Sequence, residues 1–255
     1  MNHANFNIIE VNIENIENEH ICCALGNTKE DKEREAQKKN WMKQRFKDGF
    51  IFKKFDVRGK VFIEYIPAEN AWNPIISPGY VFVDCFWVSG KYKGQGFASK
   101  LLEEVEEDNE NKNGLVILTS KKKMPFLADK KYLLNKGFIV CDAAPPYFEL
   151  MVKKFKDAPD PKFKNSVQSA TCPQKHGLVF YYTNHCTHTE NWIKRIADYA
   201  ESKGYKSQIV KINTKQEAQN APSPFTTCSI FYNGKFLTHE IPLENKFDKL
   251  MENVK

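Results

Sequence analysis

The chain has 255 residues, a formal net charge of +6, 41% hydrophobic residues and 13% aromatic residues. This length suits one large domain or two smaller ones with buried cores, and the composition is that of a globular protein rather than a disordered one. Acidic residues dilute the lysines along most of the chain, which argues against nucleic-acid binding but is compatible with an anionic ligand. No run approaches the ~20 apolar residues that span a bilayer, and the start lacks the layout of a signal peptide, so we predict no membrane association. Seven scattered cysteines indicate free thiols in a reducing compartment, and we predict a cytoplasmic protein.

One segment divides the chain into two parts. The stretch KKFKDAPDPKFKNSVQSATCPQKHG is rich in Lys, Pro, Ser and Asn and has little apolar periodicity. Such a composition is typical of a linker or a surface crossing. We therefore predict a first domain at 1–156, a linker at 157–176 and a second domain at 177–255.

In the first part, strand and helix patterns alternate irregularly. The apolar FNIIEV precedes a charged helix that begins after Thr28, ends near Gly49 and has a thin apolar face, which favours a surface position. FIFKKFDVRGKVFIEYI predicts a β-hairpin, and the nearly continuous apolar run GYVFVDCFWV predicts a central strand. A Lys- and Gly-rich turn then leads to an amphipathic helix, the strand GLVILTS, a helix from Pro125 to Gly137, and the strands FIVCDA and YFELMVKKF. This order predicts a mixed α/β sheet.

The turn GKYKGQGFASKLL is the strongest candidate for a binding site. Gly94 and Gly96 allow backbone conformations that other residues rarely adopt, and the following helix presents unpaired N–H groups at its first turn. Lys91 and Lys93 add positive charge, so the turn suits a pyrophosphate. Its spacing is neither that of a Walker A loop nor that of the dinucleotide-binding fingerprint.

The same turn resembles the acetyl-CoA signature of the GCN5-related N-acetyltransferases (GNAT family), Arg/Gln-x-x-Gly-x-Gly/Ala, at Lys93, Gly96 and Ala98. The order of elements over about residues 6–155 and the late segment YLLNKGF are similar to the family too. The resemblance implies acetyl-CoA as cosubstrate, an amine of a small molecule or protein as acceptor, and direct attack of the amine on the thioester. It also implies a cofactor site with the pantetheine arm on Phe86, Trp87 and Val88 and the pyrophosphate on Lys93, Gly94, Gln95, Gly96, Phe97 and Ala98.

The residues for proton transfer are less clearly marked. Many relatives place a Tyr in the late helix, where this chain has Leu133, so Tyr132 is the candidate acid. Asp84 and Glu64 interrupt apolar strands, and burial raises the pKa of a carboxyl group toward that of a useful base. The alternative for each carboxylate is a pairing with a nearby Lys or Arg, or exposure to solvent.

The loop EYIPAENAWNPI, residues 64–75, is a candidate wall of the acceptor site. Tyr65 and Trp72 offer aromatic surface to a substrate, and Glu69 offers a carboxylate to a cation. Trp72 equally suits a role in sealing the edge of the sheet.

The second part resembles the thioredoxin-like fold, in the order β-α-β followed by a hairpin around Asn233-Gly234 and a last helix. Cys186 occupies the place of that family's first active-site cysteine, but the partner position holds Thr189 and the usual cis-proline position holds Thr226. The resemblance as a whole is to bacterial GNAT acetyltransferases with an appended thioredoxin-like domain. The predicted fold class is therefore α/β, a GNAT mixed sheet followed by a smaller thioredoxin-like α/β domain.

Two alternatives to the transferase remain open. The missing tyrosine leaves room for a non-catalytic module that binds acetyl-CoA or a peptide. Cys186 leaves room for a monothiol redox protein, which requires a lowered pKa of this thiol. His185, Cys186 and His188, even with Cys172 and His176, match no standard zinc spacing, so we predict no metal. The expected partners are acetyl-CoA and an amine acceptor, and a homodimer is among the assemblies that the sequence allows.

Overall fold

The structure is a computed structural model that describes residues 7–21, 23 and 25–254, so residues 1–6 of the predicted first domain lie outside it. Its strands have these bounds: β1 (Ile8–Val11), β2 (Ile51–Phe55), β3 (Val61–Pro67), β4 (Ile75–Ile76), β5 (Val81–Val88), β6 (Gly114–Ser120), β7 (Ile139–Ala144), β8 (Phe148–Lys154), β9 (Lys162–Phe163), β10 (Leu178–Tyr182), β11 (Ser207–Lys211), β12 (Cys228–Tyr232) and β13 (Lys235–Thr238). Its α-helices have these bounds: α1 (Lys29–Phe46), α2 (Phe97–Asp108), α3 (Lys130–Asn135), α4 (Thr189–Ser202), α5 (Lys215–Gln219) and α6 (Glu244–Glu252). Within the described ranges, no helix combines the length and the apolar character needed to cross a membrane.

The N-terminal unit is a seven-stranded sheet in the order β1-β2-β3-β5-β6-β8-β7. Neighbouring strands run antiparallel except β5 and β6, which run parallel. One apolar cluster covers each face of the sheet; α2 packs on one face and α1 lies on the other. The predicted mixed α/β sheet with a central fifth strand is therefore confirmed.

The central strand β5 changes partners halfway along its length. Against β3, Glu64 pairs with Cys85 and Tyr65 pairs with Val83, so Asp84 is the extra residue of a β-bulge. Against β6, β5 pairs only from Val81 to Val83. Because a bulge bends and twists its strand, β5 leaves β6 at Asp84. Over residues 84–88, the edge of β5 that faces β6 has no strand partner in the described part of the chain.

Two helices of the N-terminal unit differ from the prediction. The helix α1 has the predicted Thr28 cap, reinforced by a capping box with Asp31, and one of its faces is exposed as predicted, but the other face is more deeply buried than a thin apolar face suggests, with Trp41 and Met42 in the core. The helix α3 begins at Lys130 rather than at Pro125, because the Asp129 side chain accepts hydrogen bonds from the first-turn amides and caps the helix there.

The C-terminal unit is a four-stranded sheet in the order β11-β10-β12-β13. The strands β10 and β11 are parallel and are linked by α4, whereas β12 and β13 form an antiparallel hairpin. Asn233 and Gly234 both have positive φ, as the predicted hairpin turn requires. The short helix α5 was not predicted, although Thr214 and Glu217 form a capping box at its start.

The two units pack against each other, and the segment predicted as a linker is part of that packing. The strand β9 pairs with β4, and Phe163 and Val167 are buried in a core cluster of the N-terminal unit. The loop before β4 is held from the second unit by side chain–backbone hydrogen bonds: Thr226 to Trp72, Gln219 to Ala71, and Asn73 to Pro224. The segment 157–176 is therefore a docked crossing rather than a free tether.

Candidate active site

A cavity of about 210 Å³ lies where β5 leaves β6. Both units line it, since β3 and β5 form one wall, residues 126–128 form another, and the segments before α4 and β12 close it from the second unit. The lining residues that carry ionisable, amide, hydroxyl or thiol side chains are Cys23, Lys60, Glu64, Asn73, Asp84, Cys85, His185, Cys186, His188 and Thr227.

The loop after β5 forms an open anion-binding surface. Gly94 and Gly96 have φ values of +75° and +83°, in the region that favours glycine. A side chain at either position would meet no atom within 4 Å, so the loop backbone faces open space. Gly96 supplies no side-chain cap to α2, and the first N–H groups of the helix remain available to a ligand. Lys93 is exposed beside them and can add positive charge. These features fit a pyrophosphate, and the unpaired edge of β5 fits the pantetheine arm.

Asp84 lines the cavity at the bulge itself. Burial raises the pKa of its carboxyl group, and the negative charge of Glu64 acts in the same direction, against the opposing effects of His185 and Lys38. This is the property that the sequence predicts for a base. A carboxylate with a raised pKa that lines a cavity is suited to accept a proton from an ammonium group.

Glu64 behaves differently from the prediction. Burial disfavours its charged form, but the charges of Lys38 and His185 outweigh that effect, and the pKa of Glu64 is lowered rather than raised. Its Oε2 accepts hydrogen bonds from Lys38 Nζ at 2.9 Å and from His185 Nε2 at 2.6 Å. The alternative reading of a paired carboxylate is therefore the correct one for Glu64, which is a poor proton acceptor.

His185 joins the two units at the site. Its Nε2–H donates to Glu64, its Nδ1 lies 3.1 Å from the Thr227 hydroxyl, and its ring lies 5.0 Å from that of Trp41. The same Nε2 is 3.5 Å from Asp84 Oδ2. The imidazole is thus fixed by contacts on both nitrogens, with the Asp84 carboxyl beside it.

Glu64, Asp84 and His185 also place three ligand atoms within 4.8 Å of one another, which is a spacing that a metal ion could use. The ammonium of Lys38 lies 2.9 Å from Oε2 of Glu64, the same oxygen that His185 contacts. A cation there would have to displace Lys38, which is only 2% exposed, so the donor set fits a metal poorly.

Tyr132, the candidate acid, lies near the end of β5, with its ring 5.9 Å from that of Phe86. Its hydroxyl is buried and faces Ser99, although the two groups do not meet hydrogen-bond geometry. Burial raises the pKa of Tyr132, which keeps the phenol protonated. Leu133, the residue at the usual tyrosine position, is buried in the core under α2.

The three predicted substrate residues lie outside the cavity. Tyr65 is on the opposite face of β3 from Glu64, and its buried hydroxyl donates to Asp108 of α2. Glu69 is exposed and accepts the backbone N–H of Gly79. Trp72 is buried in a cluster with residues of the second unit, in keeping with the alternative of a sealing role. From that loop it is Asn73 that lines the cavity.

Cys186 lines the cavity, but it is not an activated thiol. Burial raises its pKa, and a hydrogen bond with the backbone of His188 only partly opposes this effect. A redox role requires the opposite shift, because the thiolate is the reactive form.

Several site residues carry no signal that sequence reasoning could use. Lys38 is one lysine among many in a charged helix, and Thr227 belongs to a loop without a pattern. His185 has a weak signal, since it directly follows a predicted strand, and side chains at the carboxyl ends of strands often gather at a ligand site. Its partner Glu64 lies 121 positions away in the chain, and that proximity arises only from the packing of the units.

Comparisons with known proteins agree with this architecture. A family model described as "Acetyltransferase (GNAT) family" matches residues 13–124, and one described as "YoaP-like" matches residues 207–249. The chain is 40% identical over 249 residues to a Bacillus subtilis protein described as the uncharacterized N-acetyltransferase YoaP, with 96% of this chain and 98% of that protein covered.

Solved structures of acetyltransferases are also similar. The PaiA N-acetyltransferase of Thermoplasma acidophilum, in complex with coenzyme A, is 14% identical and covers 58% of this chain and 99% of its own, with a TM-score of 0.39. The GNAT family N-acetyltransferase YhbS of Escherichia coli, in complex with CoA, is 15% identical and covers 62% and 89%, also with a TM-score of 0.39.

The match over nearly the whole length of the Bacillus subtilis relative, together with the family model over the N-terminal unit, confirms the predicted enzyme class. It also confirms the predicted cosubstrate, acetyl-CoA. The chain belongs to the GNAT acetyltransferase family and is an N-acetyltransferase.

Proposed function

We propose that the protein transfers the acetyl group of acetyl-CoA to a primary amine that binds in the cavity between its two units. The observation that carries this proposal is the parting of β5 from β6 at Asp84. It joins, at one point, an unpaired strand edge, an anion-binding loop and a cavity with a carboxyl group of raised pKa.

Acetyl-CoA supplies an activated acetyl group in the form of a thioester. The residues proposed to hold it are the backbone of Phe86, Trp87 and Val88 for the pantetheine arm and the loop 93–98 for the pyrophosphate. An extended ligand can hydrogen-bond to the free edge of a strand as a further strand would. The amides of the loop and of the first turn of α2 offer the partial positive charge that a pyrophosphate needs.

On the acceptor side, Asp84 is proposed to bind the ammonium group and to take one of its protons. Asn73 offers a second contact, since its Oδ1 is buried without a hydrogen bond from any residue that the structure describes. Asp84 passes this proton to solvent and is ionised again. The neutral amine then attacks the thioester carbonyl directly: a C–N bond forms, the C–S bond breaks, and the second proton that the nitrogen loses goes to the ionised Asp84. The leaving thiolate takes up a proton, for which Tyr132 is the nearest candidate donor on the α3 side.

Glu64 and His185 are proposed to position Asp84 rather than to react. Lys38 neutralises Glu64, and the imidazole fixed between Glu64 and Thr227 contacts one oxygen of Asp84. These contacts hold the Asp84 carboxyl group in a fixed orientation toward the reacting groups.

The second unit, with boundaries at 177–255 and a docked crossing at 157–176, is proposed to be a thioredoxin-like domain that now serves as a wall of the acceptor site. Its strand order, β11-β10-β12-β13, with the first pair parallel and the hairpin antiparallel, supports this assignment. Cys186, in the position of an active-site cysteine, retains a raised pKa, which supports a lining role over a redox role.

The test is calorimetric titration of acetyl-CoA into the protein and into two variants, Gly96→Glu and Gly96→Ala. Both substitutions add the same backbone strain at a φ of +83°, but only Glu adds an anion at the phosphate position. We expect micromolar binding to the native protein, a modest loss in Gly96→Ala and a loss of at least about 100-fold in Gly96→Glu. Equal affinity in all three proteins would overturn the proposed cofactor site.

A further inference from the structure

A second cavity, of about 220 Å³, continues from the first into the C-terminal unit. The two cavities share five lining residues: Phe126, Cys186, His188, Phe225 and Thr227. An acceptor whose nitrogen lies at Asp84 therefore has its remaining atoms beside this second cavity. The proposed acetyl-CoA site approaches from the side of β5 and α2, so the second cavity belongs to the acceptor.

The second cavity offers no partner to a charge. Among its lining residues within the described ranges there is no carboxylate, ammonium or guanidinium group. It contains two histidines, His188 and His239, and burial lowers the pKa of both, which favours their neutral forms. His239 already uses both ring nitrogens, with Nε2 bonded to the Pro125 carbonyl and Nδ1 to the Tyr147 hydroxyl. A charged group inserted here would lose its hydration without compensation.

The mouth of this cavity is bordered by two large apolar side chains that stand in water. Phe126 is 60% exposed and Leu243 is 63% exposed. Phe126 has a φ of +64°, which is uncommon for a bulky residue, and the bond from His239 to the preceding carbonyl holds the loop in that conformation. Exposed apolar surface held in a fixed position at a cavity mouth is typical of a site for an apolar ligand group.

Resting on the proposed function, we infer that the acceptor is a small primary amine with a single charge, whose nitrogen lies at Asp84 and whose other end is an uncharged apolar group of about phenyl size. The volume is sufficient, since an apolar cavity of about 150 Å³ takes up benzene. Diamines and polyamines are disfavoured because their second ammonium would lie in the uncharged cavity.

The experiment compares kcat/KM for three amines at saturating acetyl-CoA: 2-phenylethylamine, propylamine and 1,4-diaminobutane. We expect 2-phenylethylamine to exceed each of the others by at least tenfold. If the diamine or propylamine is acetylated as well as 2-phenylethylamine, the inference on the acceptor is wrong while the proposed transfer stands. If acetyl-CoA binds but none of these or other primary amines is acetylated, the proposed function fails and the inference fails with it.

A substitution at the cavity mouth gives an independent test. Leu243→Asp places an anion beside the cavity at the N-cap position of α6, where Asp is a favoured residue, so the fold is retained. We expect the preference for 2-phenylethylamine over the diamine to fall at least fivefold, with acetyl-CoA binding as the check of folding. The matched control is Ile13→Asp, because Ile13 is 62% exposed and lies outside both cavities. An unchanged preference for 2-phenylethylamine in Leu243→Asp, or an equal fall in Ile13→Asp, would show that the second cavity is not part of the acceptor site.

Discussion

At the scale of single residues, the site separates two buried carboxyl groups by their surroundings. Glu64 is held charged by Lys38 and His185, whereas Asp84 has a raised pKa and no described lysine within salt-bridge distance. Pairs of titratable groups whose surroundings push their pKa values apart commonly mark the acid and base of a reaction. Sequence alone treats both residues as equal candidates for the base, because each interrupts an apolar strand.

The first prediction concerns Asp84. Replacing it by Asn removes the proton acceptor, so we expect Asp84→Asn to lower kcat/KM for the amine by about 100-fold or more while acetyl-CoA binding is retained. In the native protein the base must be ionised, so activity falls as the pH drops through the pKa of Asp84, at a higher pH than for an ordinary Asp. The measurement is the pH profile of kcat/KM in both proteins.

The control for this prediction is Asp56→Asn, since Asp56 is exposed and lies outside the cavity. A variant at Asp84 that keeps activity within threefold, with the acidic limb of its profile intact, would show that another group accepts the proton.

The second prediction concerns the pair Lys38–Glu64, in which each side chain is only 2% exposed. Lys38→Met leaves a buried carboxylate with His185 as its remaining partner, so we expect a loss of about 3 kcal/mol in the free energy of unfolding. The double variant Lys38→Met/Glu64→Gln removes the charge as well and should recover part of that loss. Urea unfolding curves provide the measurement.

The pair Lys194–Glu190 on α4 serves as the comparison, because the Lys194 side chain is 57% exposed, although Glu190 is only 18% exposed. Lys194→Met should cost less than about 1 kcal/mol. Equal losses in the two single variants would contradict the argument from burial.

At the scale of elements, the bulge in β5 determines where the donor site opens. The third prediction is that acetyl-CoA slows amide hydrogen exchange by at least about tenfold in the loop 93–98 and at those amides of residues 85–88 that point away from β3, because the ligand occupies amides that have no partner strand. The strand β12 of the second unit serves as the internal control and should exchange at an unchanged rate. Protection spread evenly over both units would instead indicate a general change of stability.

Prediction from sequence succeeds where one element carries its own signal. The helix cap at Thr28, the hairpin turn at Asn233-Gly234 and the glycine loop at Gly94 and Gly96 all follow from local backbone chemistry. The bulge at Asp84 does not, because it depends on the register of β5 against β3, which no local pattern encodes.

The misplaced substrate residues have a similar physical reason. A one-residue shift reverses the face of a strand, so Glu64 points to the cavity while its neighbour Tyr65 points to α2. The stretch 64–75 was predicted as a pocket wall, but after Glu64 only Asn73 lines the cavity, and Trp72 packs in a cluster with residues of the second unit. To predict the position of this loop from sequence, one would need to know how the two units pack against each other.

At the scale of the whole molecule, His239 of the second unit links two segments of the first. Its ring nitrogens hydrogen-bond to the Pro125 carbonyl and the Tyr147 hydroxyl, and it also packs against the ring of Phe148. In this arrangement Nε2 carries the proton and Nδ1 accepts from the phenol, so the ring is neutral. Burial accordingly lowers its pKa, with Glu240 opposing and Lys246 supporting that shift. A second proton on the ring would break the bond with Tyr147.

The fourth prediction follows from this link. The unfolded chain binds a proton at His239 near its ordinary pKa of about 6.5, and the folded protein binds it only at lower pH. The contribution of His239 to stability is therefore complete above about pH 6.5 and is lost as the pH falls toward the folded pKa, with a slope of up to about 1.4 kcal/mol per pH unit.

His239→Gln can keep a donor and an acceptor without titrating, so we expect this part of the slope to vanish. The measurement is urea unfolding between pH 5 and 7.5, with the exposed His176→Gln as the control. If His239→Gln leaves the slope unchanged, the junction does not depend on a neutral His239, and the other histidines with lowered pKa, His20 and His188, account for the pH dependence.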